Sequence, residues 1–132
     1  MAKYVYPAIF TPEDEGKFSI HFPDIDGCFT YGNDLSDAIE MAKDALSLML
    51  YDMEEEGNTI PDPTPLKDVQ TEGNAFATYI PADTFEYRKQ FNNKAVKKTL
   101  TIPEWLNESA TAAGINFSQA LQNALKQQLN IV

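Results

Sequence analysis

Residues 97 to 106 read KKTLTIPEWL, within a chain of 132 residues whose formal net charge is -10. Two lysines lead into a strict alternation of threonine with leucine and isoleucine, and Pro-Glu-Trp follows. From Ala95 to Ile102 the alternation sets Val96, Leu100 and Ile102 on one face and Lys97, Thr99 and Thr101 on the other. Lys98 interrupts the apolar side. A period of two is that of a half-buried strand. Pro103 suits the first turn of a helix, where its missing amide costs nothing. That helix is expected to run to about Ala113 and to stop at Gly114. Asn116 then caps a second helix with an apolar stripe of Phe117, Ala120, Leu121, Ala124, Leu125 and Leu129.

One strand and two helices in about 40 residues bury too little to stand alone. A solitary strand also leaves a row of amides and carbonyls unpaired. Both deficits vanish if two copies pair their strands antiparallel and interlock their helices. Lys97, Thr99 and Thr101 of each copy then share the exposed face of a two-stranded ribbon. Such a ribbon fits the major groove of duplex DNA, where threonine hydroxyls meet base edges and lysine suits guanine O6 and N7. The start of the second helix, at Asn116, Phe117 and Ser118, offers backbone amides to a phosphate oxygen, and Lys98 is a further candidate phosphate contact. The competing reading is an amphipathic edge strand with ordinary solvent-facing lysine and threonine.

The residues before this segment follow a different pattern. Residues 4 to 10 (YVYPAIF) read as a strand, and residues 17 to 22 (KFSIHF) alternate cleanly as a second. CFTY, ended by Gly32, is a third. Links this short imply antiparallel neighbours. Asp34 can cap a helix whose residues Leu35, Ala38, Ile39, Ala42, Leu46, Met49, Leu50 and Met53 recur on one face, and Gly57 stops it. That stripe is core for one face of a sheet. Residues 74 to 80 (NAFATYI) are a fourth strand, and Asp83 with Glu86 has capping-box spacing for a short helix through Lys89. The polar FNNK after it reads as a hinge, which divides the chain into domains 1–91 and 92–132.

Charge divides at the same place. Residues 1 to 90 hold 18 acidic against 6 basic side chains, a balance of -12, whereas residues 91 to 132 carry +2. A sign change between segments points to two parts with different partners. The opening residues lack the pattern of a signal peptide, and no stretch reads as a membrane span. Cys28 is the only cysteine, which suits a reducing cytoplasm. His21 is the only histidine. A surface histidine and a small buried cysteine are expected, rather than a nucleophile pair.

Residues 95 to 130 resemble a ribbon-helix-helix domain, with KTLTIPEWL as ribbon and helix entry and GINFSQAL as the joint. The resemblance makes Lys97, Thr99 and Thr101 the base readers and implies an obligate homodimer. Residues 3 to about 90 resemble the HicB antitoxin family, on YPAIFTPEDEGKFSIHFPDIDGCFTYGNDLSDAIEMAKDAL and IPDPTPL. That resemblance implies an α+β protein: a partial ribonuclease-H-like domain of order βββαβ(α), then the βαα ribbon-helix-helix domain. It also implies an antitoxin that sterically neutralises a HicA-type mRNA-cleaving toxin and represses its own operon by binding operator DNA. Toxin contacts are expected at Asp24 and Asp26 in a turn and at Glu54, Glu55 and Glu56 near a helix end. No catalytic residue, metal or cofactor is expected, because the first strand carries no acid for a two-metal centre. A cytoplasmic homodimer, or a higher oligomer, is the expected form. The alternative is a transcriptional regulator that senses a ligand or protein and has no toxin partner.

Overall fold

The computed structural model describes residues 2–131. Three strands open the chain: β1 (Lys3–Pro12), β2 (Phe18–His21) and β3 (Phe29–Gly32). Helix α1 (Leu35–Glu56) follows, then β4 (Phe76–Asp83) and α2 (Thr84–Phe91). Two helices complete it, α3 (Glu104–Ala112) and α4 (Phe117–Gln128). The sheet has the order β3-β2-β1-β4, with every neighbouring pair antiparallel. Pro7 is tolerated inside a central strand because β1 outruns β2, whose pairing begins only at Ile9 opposite His21. β4 begins and ends later than the alternation predicts and includes Pro81, which an edge strand accommodates.

The chain divides into two compact units, one through Lys94 and the other from Ala95. In the first, α1 covers one face of the sheet. Ala38, Ala42, Leu46 and Leu50 are buried against Tyr6, Ala8, Phe10, Ile20, Phe22 and Ile80. The helix stripe is therefore core, except that Leu35 at its start stays half exposed. Asp34 caps α1 by accepting from the Asp37 amide at 2.8 Å. α1 and β3 approach each other closely at Gly32. A Cβ built on Gly32 would lie 2.4 Å from both the backbone nitrogen and Cα of Ala38. Only a residue without a side chain lets the helix start lie on the strand end.

A polar node fastens the other end of α1. The Glu54 carboxylate accepts from the Tyr4 hydroxyl at 2.7 Å and the Thr84 hydroxyl at 2.9 Å, and it meets Arg88 at 3.4 Å. One side chain thus ties α1 to the first strand and to α2. Its side chain is 11% exposed. Burial pushes its pKa up, but the donors aimed at it outweigh burial and hold the carboxyl below its ordinary value. The Pro-rich loop after α1 is strapped down as well: the Tyr6 hydroxyl donates to the Pro61 carbonyl, and Asp24 accepts from the Thr64 amide at 2.9 Å.

The second unit is two helices and the chain leading into them. Residues 92 to 103 contain no strand, although alternation predicts one over 95–102. A strand exists by its ladder, and this segment finds no ladder partner within one copy. Pro103 itself occupies the N-cap of α3 rather than the first turn. Gly114, at φ 70°, closes α3: its amide donates to the Thr111 carbonyl and the Ile115 amide to the Ala110 carbonyl, both at 3.1 Å. This paired closure is the Schellman pattern, which favours glycine at the left-handed position. Neither helix has a buried residue.

Gly32→Ala should cost about 1–3 kcal/mol in urea denaturation, because the added methyl meets rigid backbone rather than a side chain that can yield. Glu54→Gln should lower stability at neutral pH by about 1–2 kcal/mol through loss of charge-assisted hydrogen bonds. Because the native carboxyl is held low, its contribution is complete above the ordinary glutamate pKa. It is lost as pH falls from there through the lower native value. The variant should therefore show a flatter acid limb in stability against pH.

Candidate functional site

Within the first unit, the acids expected to meet a partner do not stand together. Asp24, Asp26 and Glu56 line one groove of about 560 Å³, with Ile25, Met49 and Met53 among its apolar lining. Asp52 joins them, one helical turn before Glu56 on α1. Two segments far apart in sequence thus converge: the turn between β2 and β3 and the last turns of α1. An acid-lined groove with thioether side chains suits a cationic side chain, since methionine packs adaptably against an alkyl stem while the carboxylates meet the charge. Asp52 was missed by sequence reasoning, although its four-residue spacing from Glu56 was visible.

Asp24 has a second duty. Its two oxygens accept from the amide and hydroxyl of Thr64, so it is a tether for the Pro-rich loop as well as a groove wall. Asp26 is exposed, and Glu56 is exposed while accepting from the Asn58 amide group at 3.0 Å. Glu54 departs from the expectation. Its carboxylate is engaged by Tyr4, Thr84 and Arg88, so it fastens the fold instead of facing a partner. Glu55 pairs with Arg88 and not with the groove acids. The reason is helical geometry: consecutive residues project about 100° apart, so a Glu-Glu-Glu run cannot present one surface. Arg88, with its guanidinium 4.7 Å from the Tyr51 ring centroid, completes the contact of α2 with α1.

In the second unit Lys97, Lys98, Thr99 and Thr101 are all exposed. The apolar members of the same alternation are exposed as well, Val96 to 77%. Trp105 is 67% exposed, and Leu100, Ile102, Leu125 and Leu129 are open too. Asn116 caps α4 by accepting from the Gln119 amide at 3.0 Å, which occupies its side-chain oxygen. Its neighbours Phe117 and Ser118 open the helix, where the first amides have no intrahelical acceptor.

Cys28 is 3% exposed, and burial pushes its thiol up to about 11, so at neutral pH it is a packed, un-ionised side chain. His21 lies on the exposed face of β2, opposite Phe29 rather than Cys28. Among the described residues no three histidine, cysteine or carboxylate side chains converge as a metal ion requires. No helix among them is long and apolar enough to cross a membrane.

Comparison with known proteins places this architecture. A relative, antitoxin HicB of Escherichia coli strain K12, is 39% identical over 61 residues, covering 46% of this chain and 44% of its own. The chain thus matches less than half the length of that curated relative. A chain of a toxin–antitoxin complex from Streptococcus pneumoniae matches with TM-score 0.63 and 26% identity, over 96% of this chain and 99% of that one. A chain of a HicA3–HicB3 toxin–antitoxin complex matches with TM-score 0.51 and 27% identity, over 61% of this chain and 99% of that one. The α+β fold, a four-stranded antiparallel sheet with four helices, is therefore that of HicB antitoxin structures. The model of HicB-like antitoxins of bacterial toxin–antitoxin systems matches residues 6–124, and the chain belongs to that family.

Proposed function

We propose that this antitoxin blocks a HicA-type mRNA-cleaving toxin by covering its working surface, and that it represses its own operon as a dimer bound to operator DNA. The first unit is read as the partial ribonuclease-H-like domain and the second as a ribbon-helix-helix domain. The observation that carries the repressor half is the exposure of nearly every large apolar side chain in residues 96–129. A second copy supplies what that unit lacks: a ladder partner for 95–102 and a cover for the apolar faces of α3 and α4. Pairing the ribbon in this way turns Lys97, Thr99 and Thr101 outward together, towards base edges. Lys98 and the amides of Phe117 and Ser118, with the Asn116 cap holding the helix start, are left for phosphates.

The toxin half rests on family membership and on charge. A protein that grips RNA is cationic, and the first unit carries the acidic balance of this chain. Complementary fields speed encounter, while buried contacts set the lifetime of the complex. The groove of Asp24, Asp26, Asp52 and Glu56 is the surface proposed to take basic toxin side chains. The reading is of binding rather than hydrolysis, in keeping with a first strand that supplies no carboxylate and a Cys28 thiol that is buried and un-ionised. A protein acting on operator DNA and on a toxin that cleaves messenger RNA would work in the cytoplasm.

If a short basic reading frame adjoins this gene, coexpression with its product should rescue growth and yield a stable complex; absence of such a frame favours the sensing regulator. Asp26→Lys combined with Asp52→Lys should weaken that complex at least tenfold, measured by calorimetry, while leaving the melting temperature of the free protein within a few degrees. An unaltered affinity would remove the groove from the interface. In operator binding, Thr99→Ala and Thr101→Ala should relax discrimination between operator and mismatched DNA without changing the dimer. Lys97→Ala should weaken binding, and if that lysine meets a phosphate the salt slope falls by about one. Toxin added below saturation should tighten operator binding, because it neutralises a domain balance of -12 that repels DNA. Anisotropy titration at fixed salt tests this, and unchanged or weaker affinity at every ratio contradicts it.

A further inference from the structure

β3 forms one edge of the sheet. Its sequence, Phe29-Thr30-Tyr31-Gly32, carries neither charge nor proline, the devices that ordinarily blunt an open edge. The phase of the β2–β3 ladder decides which backbone groups are left over. The Phe22 amide donates to the Cys28 carbonyl at 3.0 Å, so bonded pairs alternate onward to Ile20 with Thr30 and Phe18 with Gly32. The amides and carbonyls of Phe29 and Tyr31 therefore point away from β2. The side chains of the same two residues lie on the sheet face opposite α1, 74% and 72% exposed. The opposite edge differs: β4 contains Pro81, and its Tyr79 hydroxyl accepts from the Leu66 amide of the preceding loop.

We propose, building on the toxin-binding reading above, that β3 receives a strand of the cationic toxin and extends the sheet by one strand. Phe29 and Tyr31 would supply both the backbone pairing and a ledge on which partner side chains pack. Charge selects the occupant. Asp26 precedes β3, Asp34 and Asp37 follow it, and the Glu13 carboxylate accepts from Ser19, which faces Tyr31 across the ladder. A second copy would set another strongly acidic unit against this rim, whereas a basic chain is drawn to it. Asp26 also lines the acidic groove, so strand addition and the groove belong to one continuous surface.

Amide hydrogen exchange on the whole chain, with and without a HicA-type toxin, tests the assignment. The Phe29 and Tyr31 amides should slow at least tenfold in the complex, while Thr30, already bonded to β2, changes little. Tyr31→Lys should weaken the complex at least tenfold, Tyr31→Thr less, and Val5→Lys, also on the outer face but on β1, should leave it unchanged. A complex that forms with Phe29 and Tyr31 unprotected, or that Tyr31→Lys leaves as tight as the parent, overturns the β3 assignment alone. Absence of any complex with the parent chain overturns the toxin reading and this assignment together. Protection that appears without the toxin and grows with concentration identifies a second copy as the occupant, and that also overturns it.

Discussion

The seating of one helix on one sheet governs the rest of the first unit. α1 presents Ala38 and Ala42 at its start and Leu46 and Leu50 further along, so that small residues meet the strand closely and larger ones fill the interior beyond. At Gly32 the approach is backbone to backbone. At the far end Glu54 reaches the first strand and the start of α2. Between these two attachments the helix has no freedom to roll. The acids of its last turns are consequently divided by geometry: Glu54 turns inward, Glu55 turns to Arg88, and Asp52 with Glu56 faces the turn between β2 and β3.

The second unit obeys the opposite logic. Its helices are well formed locally, each with a side-chain or glycine device at the joint, yet they enclose no interior. Local order without burial is the condition of a module completed by association, because caps and turns fix the backbone while leaving apolar surface to be covered. The two units thus separate the requirements of the molecule. One is closed by its own core and carries the acidic balance; the other leaves its apolar side chains, lysines and threonines exposed.

Capping residues and periodicity were legible in the sequence. Asp34, Asp83 and Asn116 all cap the helices assigned to them, and the apolar stripe of α1 is the core. The order of three strands, helix and strand followed from short links and turn clusters. The acidic site was legible only in part. Asp24 and Asp26 could be assigned to a turn, but their meeting with Asp52 and Glu56 depends on how a helix end packs against that turn, which no local pattern encodes. The engagement of Glu54 by residues 50 positions before it and 30 after it was equally invisible. The alternation over 95–102 was readable, but no strand forms there within the single chain.

The sole sulfhydryl has a practical consequence. Cys28 sits in the turn immediately before β3, buried and protonated, so a thiol reagent can reach it only when this corner of the sheet comes apart. Alkylation kinetics on the natural sequence, with no introduced probe, therefore time the opening of the strand end that borders the acidic groove.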